Sequence, residues 1–144
     1  MKAVRTLVVV CDDKDAGIFE NAGVGKGLTE IERICASDKA GSDYSDRPGR
    51  GQAAPGMGRH GFTRPVDQKV LDRSGFASEI VKRLGRHARK ADRVGLVAAP
   101  AMLGEMRRSL PAQLGAMVAW EVDKDLTKST AAELADRLSH VAAF

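Results

Sequence analysis

Residues 92–110 read DRVGLVAAPAMLGEMRRSL. The stretch opens polar and then runs apolar through Val94–Ala99, as a buried strand does. Pro100 follows, and proline suits the first turn of a helix because its missing N–H has no intrahelical partner there. AMLGEMRRSL continues that helix. A strand passing directly into a helix implies that the next strand returns parallel to the first. The question is whether the rest of the chain agrees.

Downstream it does. PAQLG reads as a short turn, and Ala116–Val122 (AMVAWEV) as the last strand. DKDLTKS is a polar connection. Thr130 and Glu133 have the spacing of a capping box and start a final helix, with Leu134, Leu138 and Val141 inward. Upstream, Phe76, Ile80, Leu84 and Ala88 repeat at i, i+4 within a helix spanning Asp67 to Lys90, with Ala77 and Val81 beside them.

The first third is different. Val4 to Cys11 is a nearly unbroken β-branched and aliphatic run that reads as a buried strand, closed by the turn-forming DDKDAG. Ala16–Glu20 and Leu28–Ala36 are shorter strands separated by NAGVGKG, and the second alternates loosely enough to be an edge. These three form an antiparallel meander. Residues 37–65 show no periodicity and hold six glycines and three prolines, which reads as a long loop. The order is therefore βββ-loop-αβαβα. It predicts a three-layer α/β fold with a mixed five-stranded sheet, in a single domain over residues 1–144.

The chain has 144 residues, enough for one hydrophobic core. Aromatic residues make up 4%, so the core falls to Val, Leu, Ile and Ala. Cys11 and Cys35 lack metal-ligand spacing and read as reduced thiols, which fits a cytoplasmic protein. LVVVC is too short for a secretory apolar core, and no stretch approaches a membrane span. No membrane insertion is expected.

The net charge of +4 is unevenly placed. Residues 67–93 hold eight Lys/Arg against four Asp/Glu, while residues 1–36 and 94–144 each carry a net −1. Within KRLGRHARKADR (82–93), Lys82, Arg86, Arg89 and Arg93 step by four, three and four, which places them on one helix face. Such a stripe can follow a phosphate backbone; it is also what a solvated helix end carries, since cations suit a helix C-terminus. The loop adds Arg47, Arg50, Arg59, His60 and Arg64.

Other motifs decide less. GMGRHG (56–61) matches GxGxxG but lacks the strand before it and the helix after it that dinucleotide binding requires. Asp12, Asp13 and Asp15 follow the first strand, and Asp123 and Asp125 follow the last. They suit turns, and they would hold Mg²⁺ only if the two clusters met. His60, His87 and His140 have no partners at ligand spacing. No metal and no cofactor is expected. Gln52, behind Gly51, could place an amide against a substrate.

Taken together, DRPGR (46–50), GRH (58–60), LVAAPAMLGEMR (96–107) and EVDKDLTKST (121–130) resemble the bacterial host attachment protein family. The most specific pieces are Ala99, Pro100, Leu103, Gly104 and Arg107, then Lys124, Asp125, Leu126 and Thr127. That family in turn distantly resembles the middle domain of archaeal and eukaryotic class-1 peptide-chain release factors, whose long loop carries Gly-Gly-Gln. Here Arg50 stands in the first glycine's place, and only Gly51 and Gln52 match. The resemblance implies a release-factor-like fold. Together with the cations it implies a non-enzymatic RNA- or ribosome-associated module of stress, rescue or hibernation type, with rRNA, tRNA or the ribosome as partner. The alternative is a hydrolase of an ester or phosphodiester, such as peptidyl-tRNA or RNA, worked by Gln52, Asp12 or Asp13.

Overall fold

The computed structural model describes residues 3–36 and 65–144. Its strands are β1 (Thr6–Cys11), β2 (Asp15–Asn21), β3 (Thr29–Cys35), β4 (Arg93–Ala98) and β5 (Val118–Val122). Its helices are α1 (Pro65–Ala88), α2 (Pro100–Ser109), α3 (Ala112–Met117) and α4 (Ala131–Arg137). The strands form one sheet in the order β3-β2-β1-β4-β5. β1 pairs antiparallel with β2 and parallel with β4, and β4 pairs parallel with β5. The antiparallel meander and the parallel half meet at β1.

All six residues of β1 are buried. Side chains alternate across a strand, so Leu7, Val9 and Cys11 enter one layer and Val8 and Val10 the other. The first layer is built from α1, α2 and α3 through Phe76, Ile80, Leu84, Met102, Met106 and Leu114. The second is thinner. Leu126, Leu134 and Leu138 cover Val8, Val10, Phe19 and Val97, with Val141 and Phe144 at the margin. Each fully buried Leu or Ile contributes roughly 1.5–3 kcal/mol, so this thin layer still matters to stability.

A register shift between Val94 and Gly95 alters the last strand. Val118 pairs with Val94 and packs into the first layer, but Trp120 pairs with Gly95 and packs into the second. The extra residue, Ala119, is what turns the indole to the other face. The ring then lies directly on Gly95, where a Cβ would fall inside its atoms. Phe144 meets it edge-on, with centroids 6.2 Å apart. The indole Nε1–H is buried and has no acceptor among the described residues, a desolvation cost of about 1–3 kcal/mol set against the burial of the ring.

The helix at the C-terminal end has the expected cap. Glu133 N–H donates to Thr130 Oγ1 (3.2 Å), and Thr130 N–H donates to Glu133 Oε1 (2.8 Å). Two expectations fail. PAQLG is not a turn: Pro111 leads a short helix, closed by Gly115 N–H to the Pro111 carbonyl at 2.8 Å. One and a half turns with a single buried residue, Leu114, leave too little periodicity to read. The second failure is the four-residue stripe. α1 ends at Ala88, so Arg93 is not on its face; it begins β4, paired with Thr6. The sheet decides this, because Asp92 Oδ2 accepts the Arg5 N–H and Asp92 N–H donates to the Arg5 carbonyl.

Gly95→Ala is expected to expel Trp120 from its seat and lower stability by about 2–4 kcal/mol, an overpacking cost compounded by exposure of the ring. Chemical denaturation followed by the fluorescence of this one tryptophan measures both effects, the second as a red shift of the native emission.

Candidate functional site

β1 and β4 lie side by side and parallel, but the chain leaves β1 toward β2 and leaves β4 toward β5. The carboxyl ends of such a strand pair form the position where open α/β sheets commonly place their polar chemistry. The residues that gather there come from distant parts of the chain. Asp12 Oδ1 accepts the N–H groups of Lys14 (2.7 Å) and Asp15 (2.6 Å) and so shapes the β1–β2 turn. Its other oxygen, Oδ2, lies 3.0 Å from Thr127 Oγ1. The same hydroxyl lies 2.7 Å from Asp125 Oδ1. Thr127 has one proton to donate, so its hydroxyl is shared between two carboxylates.

The two strand-end acidic groups therefore meet, with Thr127 between them. Among the described residues, no group of three His, Cys, Asp or Glu side chains is arranged to hold an ion. Asp13 turns away to α1, where Arg73 donates through Nε to Oδ1 (3.1 Å) and through a terminal nitrogen to Oδ2 (3.4 Å). Behind them Cys11 is buried, and burial together with the nearby charges of Asp12, Asp125 and Asp13 pushes its thiol up to about 12. It stays protonated and unreactive at neutral pH. Asp12 and Asp13, named from the sequence as candidate catalytic groups, are here a turn-former and an ion-pair partner.

The basic run divides into two sets. Arg83 and His87 are tied down, Arg83 to Glu32 (2.8 Å) and Glu79 (2.9 Å), and His87 Nε2 to Glu32 Oε1 (2.8 Å). These contacts fasten α1 to the edge strand β3. They hold the Glu32 carboxyl below the usual glutamate range, the His87 hydrogen bond being the largest cause and Arg83 adding to it. Lys82 and Arg86 lie on the exposed side of α1, and Arg89 and Lys90 follow in its closing turn, all solvent-facing. Among the described residues these four have no ion-pair partner. Arg93, half-buried, donates through Nε to Thr6 Oγ1 (2.8 Å). Arg47, Arg50, Gln52, Arg59, His60 and Arg64 lie outside the described residues.

The clasp at Thr127 was missed by sequence reasoning, which took DKDLTKS for a plain connection. The signal was present: Asp-x-Thr is a pattern in which a carboxylate accepts the N–H two residues on. Here Thr127 N–H does donate to Asp125 Oδ1, at 3.2 Å.

A mixed sheet between two unequal helical layers, with a polar clasp at its carboxyl end and an unpaired cationic helix end, defines an α/β protein. Residues 7–138 match the family model of the protein required for attachment to host cells, and the chain belongs to that family. No curated protein matches it.

Thr127→Val is expected to lower stability by about 1–2 kcal/mol, since two carboxylates then face one another without a shared donor; Thr127→Ser should recover most of it in the same urea titration. Glu32 has a depressed folded-state pKa, so its contribution is present above the usual glutamate range and is lost as pH falls through the depressed value. Glu32→Gln should accordingly be less stable by about 1 kcal/mol at pH 7. Its unfolding midpoint should converge on that of the parent in strongly acidic buffer.

Proposed function

We propose that this member of the host attachment family is a non-enzymatic RNA- or ribosome-associated binding module. The observation that carries the reading is the division within the basic run. Arg83 and His87 are consumed in fastening α1 to β3, whereas Lys82, Arg86, Arg89 and Lys90 are exposed and unpaired. A cation needed for the fold finds a carboxylate, as Arg5, Arg33, Arg73, Arg107 and Arg108 do. Four neighbouring cations without one form a positive patch suited to phosphates. The patch also lies at a helix C-terminus, where positive charge favours the macrodipole. That effect explains tolerance of the charges but gives no reason for four of them.

The distant likeness to release-factor middle domains supports a partner in the translation apparatus. The hydrolase reading has less to stand on. Asp12 and Asp13 are both engaged in structural contacts, and Gln52 lies outside the described residues.

Binding to a fluorescent single-stranded RNA, and co-sedimentation with ribosomes, should weaken steeply with salt. Each phosphate contact contributes about −0.7 to the slope of log K against log salt, so four contacts give about −3. The variant Lys82→Gln, Arg86→Gln, Arg89→Gln, Lys90→Gln should lose most of that slope and of the affinity. If it binds as the parent does and is only less stable to heat, the cations serve the helix and the reading fails.

A further inference from the structure

On the opposite side of the sheet from α1, a hollow of about 260 Å³ lies between the β5–α4 connection and the end of α4. Its lining residues are Val122, Lys124, Leu126, Arg137, Leu138 and His140. They divide by chemistry. Val122, Leu126 and Leu138 are buried members of the second core layer and make an apolar floor. Lys124, Arg137 and His140 are exposed around it. None of the three has an ion pair or side-chain hydrogen bond among the described residues, and no carboxylate lines the hollow. A second hollow, of about 290 Å³, shares Leu126 and Arg137 with the first and adds Lys128 but also two carboxylates, Asp125 and Glu133, the latter held below its usual range chiefly by its hydrogen bonds with Thr130 and in part by Arg137. Of the two, the first has cations and no carboxylate in its lining.

We propose that this first hollow binds a small phosphomonoester. Arg137 and Lys124 supply two positive side chains, which suit a dianion better than a single carboxylate. The guanidinium offers a planar fork that matches two phosphate oxygens, the ammonium adds a compact charge, and an imidazole N–H is within the same rim. The apolar floor takes the hydrocarbon part of the ester. A hollow of this size is at the small end of ligand pockets, with room for a phosphate and a short chain or one ring. The floor is held from below: Leu126 sits between Asp125 and Thr127, and the Thr127 hydroxyl lies within hydrogen-bond reach of both Asp125 and Asp12, just after β1. The site shares no residue with the cationic patch of α1.

Phenyl phosphate, inorganic phosphate, benzoate and benzyl alcohol, titrated at constant ionic strength by calorimetry and by ¹H–¹⁵N spectra, test the proposal. Phenyl phosphate is expected to saturate and to bind more tightly than the other three. It should shift the amides of Lys124, Leu126, Arg137, Leu138 and His140. Arg137→Gln and Lys124→Gln, both at exposed positions, should each weaken it at least about tenfold, with the rest of the spectrum unmoved. The four-site α1 variant should bind phenyl phosphate as the parent does, whatever it does with RNA. Absence of saturation, shifts centred elsewhere, equal binding of benzyl alcohol, or indifference to Arg137→Gln would each overturn the assignment.

Discussion

Strand β1 has no face toward water. Helices lie over one side of it, the segment around α4 lies over the other, and a strand is bonded to each edge. A strand so enclosed has no position for a charge, because an unpaired charge in that interior costs several kcal/mol. Its polar chemistry is therefore displaced to its two ends. At the start, Thr6 is buried and its hydroxyl takes a hydrogen bond from Arg93. At the finish, Asp12 is the first residue able to reach solvent, and it immediately collects two backbone N–H groups and the Thr127 hydroxyl. The clasp and the placing of Arg93 both follow from what β1 excludes.

The same accounting separates structural charges from available ones. Partners recur wherever an ionic side chain secures one element to another: Arg73 to the β1–β2 turn, Arg83 and His87 to β3, and Arg107 on α2 to Glu121 on β5 through Nε at 2.8 Å. Among the described residues Lys14, Lys26 and Lys128 stand singly, and the remaining unpaired cations form two groups, one at the closing end of α1 on one side of the sheet and one at the rim beside α4 on the other. The two groups differ in setting. The first is four exposed cations close together in the chain, which suits an extended polyanion. The second surrounds an apolar floor, which suits a compact ligand with one charged end.

How much of this was legible in the sequence depended on the range of the interactions. β1 could be read because burial on both faces writes an unbroken aliphatic run, and α1 because Phe76, Ile80, Leu84 and Ala88 repeat over several turns. The parallel half followed from DRVGLVAAP, where strand passes into helix. α3 was hidden because so short a helix has almost no period. Arg93 was misplaced because its position is set by pairing with Thr6, far away in the chain, and helical spacing carries no information about that partner. The Asp12–Thr127 contact spans 115 residues. Each half of it resembles an ordinary turn, and only the fold makes them one feature.

The β1–β2 turn has a further role. Its Lys14 carbonyl accepts the N–H of Ala36, just beyond β3, at 2.8 Å, and its Asp13 holds Arg73 in α1. The chain on either side of residues 37–64 is thus moored to one small turn, at one end of the sheet. The turn is therefore a common tie point: a change in its backbone reaches the edge strand through Ala36 and α1 through Arg73 at once.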